Sequence, residues 1–111
     1  MSGENFNLNN DNLVLQINSP KNKCGGPYKV VFKDLVNRWA IVALDWENEP
    51  RLGIRWFWDK SGNPLSTGHP IWFIMPTELY KTTLDGLPLE YSARNEIEDF
   101  LKGKIKGHQF S

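Results

Sequence analysis

The sequence lacks the features that mark a disulfide-rich, membrane-spanning or strongly charged protein. It has one cysteine, Cys24, so no disulfide can form within the chain, which agrees with a reducing compartment. No window approaches the ~18 consecutive apolar residues of a transmembrane helix. The 13 basic and 13 acidic residues cancel, so no overall field draws the protein to nucleic acid or to an anionic membrane. The first residues also lack the basic and apolar stretches of a secretory signal, and we expect a cytoplasmic location.

The sequence also has no motif for a cofactor, a metal or a catalytic centre. Cys24 has neither a second cysteine nor an adjacent histidine, so no zinc or thiol redox motif is present. Asp45, Glu47 and Glu49 alternate along the chain, and three carboxylates on one side can bind calcium or magnesium. The proline-marked turn expected over residues 47–51, which contains Glu47 and Glu49, favours the alternative, which is that all three are solvent-exposed acids. We therefore predict no metal, no cofactor and no defined catalytic residue.

Aromatic residues, in contrast, are abundant. The 111 residues include five tryptophans, which are Trp39, Trp46, Trp56, Trp58 and Trp72. Aromatic rings carry much of the energy of protein cores and interfaces. Five indoles are more ring area than a small single-helix domain comfortably buries, so we expect at least one to be exposed or covered by a second chain.

Length and composition predict one globular domain, with 40% hydrophobic and 23% charged residues. Residues 1–11, which are rich in asparagine, are expected to be a flexible segment. Residues 12–106 are expected to form the domain, and residues 107–111 a tail. Five strands are predicted from alternating apolar residues, over 13–17, 28–32, 38–46, 52–58 and 71–75.

The predicted fold class is α+β, with one C-terminal helix packed on an antiparallel sheet. The helix follows from helical spacing of apolar residues, which are Ala93, Ile97, Phe100, Leu101 and Ile105. The sheet of about five strands is expected to be strongly twisted or partly barrel-like. In its central hairpin, a turn over residues 47–51 sets Trp46 opposite Leu52. One face of the hairpin then carries Trp46, Trp56 and Trp58, and the other carries Trp39.

Five residues are candidates for a ligand site or an interface, and they are Arg55, Trp56, Trp58, His69 and Trp72. The tryptophans either fill the core or line an exposed groove that takes a planar ligand, a cation or a partner protein. The alternatives for Arg55 are a bound carboxylate or phosphate, a salt bridge to Asp45, and stacking on a neighbouring ring.

His69 lies in a twelve-residue connection, residues 59–70, which is long for a hairpin. A catalytic role as general acid or base requires a nucleophile or an orienting carboxylate, either Asp59 or one of the alternating acids. The alternative is a loop histidine without a function.

These features favour a non-enzymatic interaction or accessory module. Its tryptophan-rich surface is expected to self-associate into a homo-oligomer or to bind another protein. The alternative is a small-molecule binding protein, with an aromatic pocket between sheet and helix for a small aromatic or cationic ligand. A small enzyme that uses His69 is the third hypothesis. The neutral charge disfavours nucleic acid as a partner, and no membrane association is expected.

Overall fold

An antiparallel sheet forms the centre of the computed structural model, which describes residues 8–58 and 62–111. The strands are β1 (Cys24–Asp34), β2 (Trp39–Trp46), β3 (Glu49–Trp56), β4 (Leu65–Ser66), β5 (His69–Pro70) and β6 (Phe73–Ile74). The helices are α1 (Asp11–Val14), α2 (Tyr80–Gly86) and α3 (Tyr91–Leu101), with 3₁₀ turns at Thr77–Leu79 and Gly107–Gln109.

Within the described residues, the main sheet has four strands in the order β1-β2-β3-β6, and β4 and β5 form a separate two-stranded sheet. The α+β class and the antiparallel pairing are therefore confirmed. The expected count of about five strands in one sheet is not confirmed. Since β1 and β6 are the two ends of the strand order, barrel-like closure is not confirmed.

The predicted register of the β2–β3 hairpin is wrong. Trp46 pairs with Glu49 and Trp39 pairs with Trp56, a shift of three residues that places Trp56 on the face of Trp39. The connection is a two-residue turn in which Glu47 and Asn48 have φ angles of 52° and 69°. Positive φ at both positions is typical of a type I′ hairpin turn.

Pro50 explains the wrong register. Proline is typical of turns, and the predicted turn therefore includes Pro50, but in the structure this residue lies inside β3. It stands opposite Asp45, next to the pair that closes the hairpin. Pairs alternate in an antiparallel ladder, so the proline nitrogen faces away from β2. The neighbouring strand on that side, β6, pairs only with Gly53 and Ile54, so the missing N–H breaks no ladder bond.

The correct register divides the core between the two faces of the sheet. The N-terminal face carries Ala40, Val42 and Leu44, which pack against Leu8, Val14, Ile17, Phe57 and Trp72. The C-terminal face carries Ile41, Ala43 and Leu52, which pack against Leu84, Ile97 and Phe100 from α2 and α3. The sheet is therefore covered on both sides, as the continuous apolar run of β2 indicates.

The predicted first strand, residues 13–17, is instead the end of α1 and a turn. Asn10 begins the helix, and its side chain accepts a hydrogen bond from the Asn12 N–H, 2.9 Å. Val14 and Ile17 are both buried, a spacing of three that brings them to one side of a helical turn. Leu8 is also buried, so this part of the predicted flexible segment belongs to the core.

The C-terminal half contains more helix than predicted. The fifth strand is reduced to β6, and the single turn expected after Pro76 continues into α2. In α3 the predicted apolar stripe is confirmed at Ile97 and Phe100, which are both buried. Ile105 lies beyond the end of this helix.

The predicted tail, residues 107–111, packs against the sheet and α3. The ring of Phe110 lies 5.1 Å from that of Phe100, and the Ser111 N–H donates to Glu96, 2.8 Å. Gly107 is buried against the ring of Tyr28. The Tyr28 hydroxyl donates to the Asp45 carboxylate, 2.6 Å, which holds that ring in place.

The Gly107→Ala substitution should lower the free energy of unfolding by about 1–3 kcal/mol. A Cβ atom at this position would overlap the Tyr28 ring, so the ring or the chain must move. Urea denaturation measures the change. Gly86→Ala is the matched control, since a Cβ there meets no atom within 4 Å. Equal effects of the two substitutions would contradict the close approach of Gly107 to Tyr28.

Candidate functional site

The five tryptophans occupy three different environments. Trp72 is 3% exposed and belongs to the core of the N-terminal face. Trp39 and Trp46 are half-buried and pack on opposite faces of the sheet. Trp56 and Trp58 are 41% and 45% exposed. The prediction that at least one tryptophan is exposed is therefore confirmed.

Trp56, Trp58 and Phe73 form an exposed cluster that we call the aromatic surface. The rings of Trp56 and Trp58 stack with centroids 6.2 Å apart and planes 20° apart. Phe73 is 61% exposed on the adjacent strand β6, where it pairs with Ile54 of β3. Since Ile54 and Trp56 are two residues apart on one strand, Phe73 and Trp56 lie on the same face.

A groove of about 270 Å³ runs beside the aromatic surface. Its lining is Ile54, Arg55, Trp56, Asn63, Pro64 and Phe73. Two backbone bonds position its far wall, from the Trp56 N–H to the Asn63 carbonyl, 2.7 Å, and back from the Asn63 N–H, 3.0 Å. The groove therefore lies between β3, β6 and the segment that follows residue 62.

Arg55 lies on the opposite face of β3 and is 1% exposed. Its guanidinium donates to the carbonyls of Trp56 at 3.3 Å, Pro64 at 3.4 Å and Ile71 at 2.9 Å. It also lies over the ring of Phe57, 5.1 Å from the centroid, which agrees with the stacking alternative. Burial lowers the pKa of Arg55 to about 10, so the group stays charged at neutral pH. The buried Arg55 side chain thus attaches the segment 62–71 to β3 through its hydrogen bonds to Pro64 and Ile71.

Trp72 is separated from the aromatic surface because it points into the N-terminal core. Its indole N–H donates to the Ile17 carbonyl, 2.7 Å. Its ring meets Phe57 edge to face, with centroids 6.2 Å apart and planes at 67°. The structure thus brings Trp56 and Trp58 together but not Trp72.

His69 lies in β5 and is exposed, and it does not line the groove beside the aromatic surface. It lines a depression of about 190 Å³ with Ser19, Pro20, Ser66, Thr67 and Ile71. Hydroxyl groups surround it, and no carboxylate is among these described lining residues. Asp59, the carboxylate suggested for it, lies outside the described residues.

Cys24 and the three alternating acids have ordinary structural environments. Burial raises the pKa of the Cys24 thiol, and the nearby Asp45 carboxylate raises it further, so the unreactive thiol form is favoured. Glu47 lies in the hairpin turn, and Glu49 begins β3. Within residues 8–58 and 62–111, no group of three His, Cys, Asp or Glu side chains is suited to hold a metal ion.

Sequence reasoning missed Phe73, although the signal was present. In the segment 70–76, Trp72 and Phe73 are neighbours in an extended chain, so one must face away when the other is buried. The sequence predicts a strand over residues 71–75 but assigns neither Trp72 nor Phe73 to a face. Burial of Trp72 against Ile17 is what turns Phe73 outward.

Comparison with known proteins finds no match for this chain among protein-family models, curated proteins or solved structures. None of the helices in the described part of the chain has the length and apolar character needed to cross a bilayer. The feature that stands out for binding is the aromatic surface with its groove.

Proposed function

We propose that this protein is an interaction module that self-associates through the aromatic surface. The observation that carries the proposal is that Trp56, Trp58 and Phe73 are adjacent on one face and all more than 40% exposed. Tryptophan and other aromatic anchors dominate the binding energy of protein interfaces. Contiguous exposed apolar surface is uncommon on monomeric proteins and is typical of an interaction site.

The β1–β2 turn extends this apolar end of the sheet. Leu35 and Val36 are 49% and 85% exposed. Their turn lies at the end of the sheet where Trp39 pairs with Trp56. A standard interface buries about 800 Å² on each partner, more than three rings alone supply. Leu35 and Val36 add apolar area to the aromatic surface and bring it closer to the area of a standard interface.

The absence of charge on the flanking segment favours a second copy as the partner. Residues 62–76 contain no Asp, Glu, Lys or Arg. In a two-fold interface each patch meets its own copy, so a patch with charges of one sign would repel itself. A charge-free aromatic patch avoids this repulsion. The formal net charge of zero also leaves little long-range repulsion between copies.

The two edge strands of the sheet also differ in charge, and the uncharged one lies beside the aromatic surface. The edge strand β1 contains Pro27, Lys29 and Lys33 and two irregularities of register, all of which discourage pairing with another sheet. The edge strand β6 has no charged residue and carries Phe73. The edge beside the aromatic surface is therefore the one without charged residues.

The test is the oligomeric state of the protein and of its Trp58→Ala variant. The natural chain should sediment as a dimer at micromolar concentration. Trp58→Ala should weaken the dimer by about 2 kcal/mol or more, roughly thirtyfold in Kd, because one substitution removes a ring from both copies. Analytical ultracentrifugation and light scattering measure both proteins.

Tyr91→Ala is the matched control, because Tyr91 is an aromatic residue 82% exposed on α3, outside the aromatic surface. This variant should dimerise like the natural chain. A strictly monomeric natural chain up to 100-fold above the micromolar range overturns the proposal. Equal weakening by Trp58→Ala and Tyr91→Ala overturns the assignment to the aromatic surface.

A second candidate function is the binding of a small aromatic or cationic ligand in the groove beside Trp56. The groove favours it because ring faces attract planar and cationic groups. Its volume of about 270 Å³ is slightly below the usual range for small-molecule sites. A titration with indole and with tetramethylammonium, followed by the NMR shifts of the Trp56 and Trp58 indole N–H groups, tests it, and no shift with either probe counts against it.

A further inference from the structure

A second concave site lies between α2 and α3, on the side of the molecule that carries the helices. We call it the helical cleft, and its volume is about 420 Å³. The residues that line it are Thr77, Tyr80, Lys81, Leu84, Glu98, Leu101 and Lys102. This volume is within the range of small-molecule sites, and Leu84 and Leu101 provide an apolar floor.

Tyr80 is one of the residues that line the helical cleft, and its hydroxyl group lies beside β3. Its hydroxyl oxygen accepts a hydrogen bond from the Leu52 N–H, 3.2 Å. No hydrogen bond within residues 8–58 and 62–111 uses the proton of this hydroxyl. Burial raises the pKa of Tyr80, which keeps the proton in place. The phenol therefore has a donor to offer to a ligand.

The charged side chains of the helical cleft leave one positive charge in excess. Lys81 pairs with Asp85 at 3.0 Å, and Glu98 lies 3.7 Å from Arg94. Lys102, at the end of α3, takes part in no ion pair among the described residues. One ammonium group is thus available to a ligand.

We infer that the helical cleft binds a small amphipathic carboxylate. Its apolar body packs on Leu84 and Leu101, and its carboxylate accepts hydrogen bonds from the Lys102 ammonium and the Tyr80 hydroxyl. One available cation and one neutral donor match a monoanion better than a phosphate. The site is independent of the aromatic surface, so either proposal can fail while the other stands.

The test uses 4-phenylbutyrate as the probe, with the neutral 4-phenylbutyramide as its matched ligand. Calorimetry should show submillimolar binding of the carboxylate and at least about tenfold weaker binding of the amide, because hydrogen bonds to charged groups are the stronger ones. Lys102→Gln should weaken carboxylate binding by about tenfold. Lys104→Gln, which changes an exposed lysine outside the cleft, should leave it unchanged.

Amide chemical shifts locate the probe. Shifts confined to α2 and α3 are the expected result. Shifts centred on the Trp56 and Trp58 indoles overturn the inference and support the groove beside the aromatic surface instead. Equal affinity for carboxylate and amide, or equal loss in the two lysine variants, also overturns it. Thermal unfolding of each variant shows whether a loss of binding comes from a loss of fold.

Discussion

The Trp72→Ala substitution is expected to lower the free energy of unfolding by about 3–5 kcal/mol. The ring is buried in the N-terminal core and meets Phe57 edge to face. Its removal leaves a cavity, and it also leaves the Ile17 carbonyl without the indole donor at 2.7 Å. Urea denaturation followed by circular dichroism measures the loss.

Trp58→Ala is the control because it removes the same side chain from an exposed position. When unfolding is measured on the monomer, at protein concentrations below the dimer Kd, its cost to the unfolding free energy should stay within about 1 kcal/mol. Trp72→Phe should fall between the two, because it keeps an aromatic ring but loses the hydrogen bond to Ile17. If Trp58→Ala destabilised the protein as much as Trp72→Ala, the division into core and surface tryptophans would be wrong.

The Arg55→Met substitution is expected to lower the free energy of unfolding by about 3 kcal/mol. Methionine retains the apolar stem but removes donors to three backbone carbonyls, those of Trp56, Pro64 and Ile71. Relief from burying a cation offsets part of this cost, as the lowered pKa of Arg55 indicates. Chemical denaturation gives the net value.

The local consequence of Arg55→Met should be looser attachment of residues 62–71. The Ile71 N–H, which donates to Pro64 at 3.2 Å, should exchange with deuterium at least tenfold faster. Arg51→Met is the matched control on the same face of β3, where its guanidinium donates to the adjacent Pro50 carbonyl. A loss below 1 kcal/mol for Arg55→Met, or equal losses for both variants, contradicts the role of Arg55 as an internal tie.

The spacing of apolar residues predicts best those helices and strands in which buried side chains recur at a regular interval. Ile97 and Phe100 lie three residues apart and are both buried in α3, as expected. The apolar run from Trp39 to Leu44 is β2, covered on both faces of the sheet. In each case the period of the side chains is a property of the single element.

The register of the β2–β3 hairpin could not be predicted from local sequence patterns, because it depends on an unusual turn. Glu47 adopts a positive φ, which glycine and asparagine accept far more readily than glutamate. The strand pairing of β2 with β3, and not the residue's own preference, imposes this conformation. Pro50 then enters β3 at a position that needs no N–H donor.

The candidate site was predicted in part. Trp56 and Trp58 were identified as neighbours, and the structure stacks them at the surface. Trp72 was expected beside them but lies in the core, and Phe73 takes that place. Adjacent residues on a strand face opposite ways, so the choice between them depends on which side Ile17 and Phe57 cover.

The sequence by itself determined the class of fold and where its aromatic residues are concentrated. Composition and the period of apolar residues are local properties, and they predict strands, the final helix and a tryptophan-rich hairpin. Only the tertiary structure decided which rings are exposed. That decision rests on strand register and on long-range contacts such as Trp72 with Ile17. A shift by an odd number of residues exchanges the two faces of a strand, so a three-residue difference in pairing moved Trp56 from the face of Trp46 to that of Trp39.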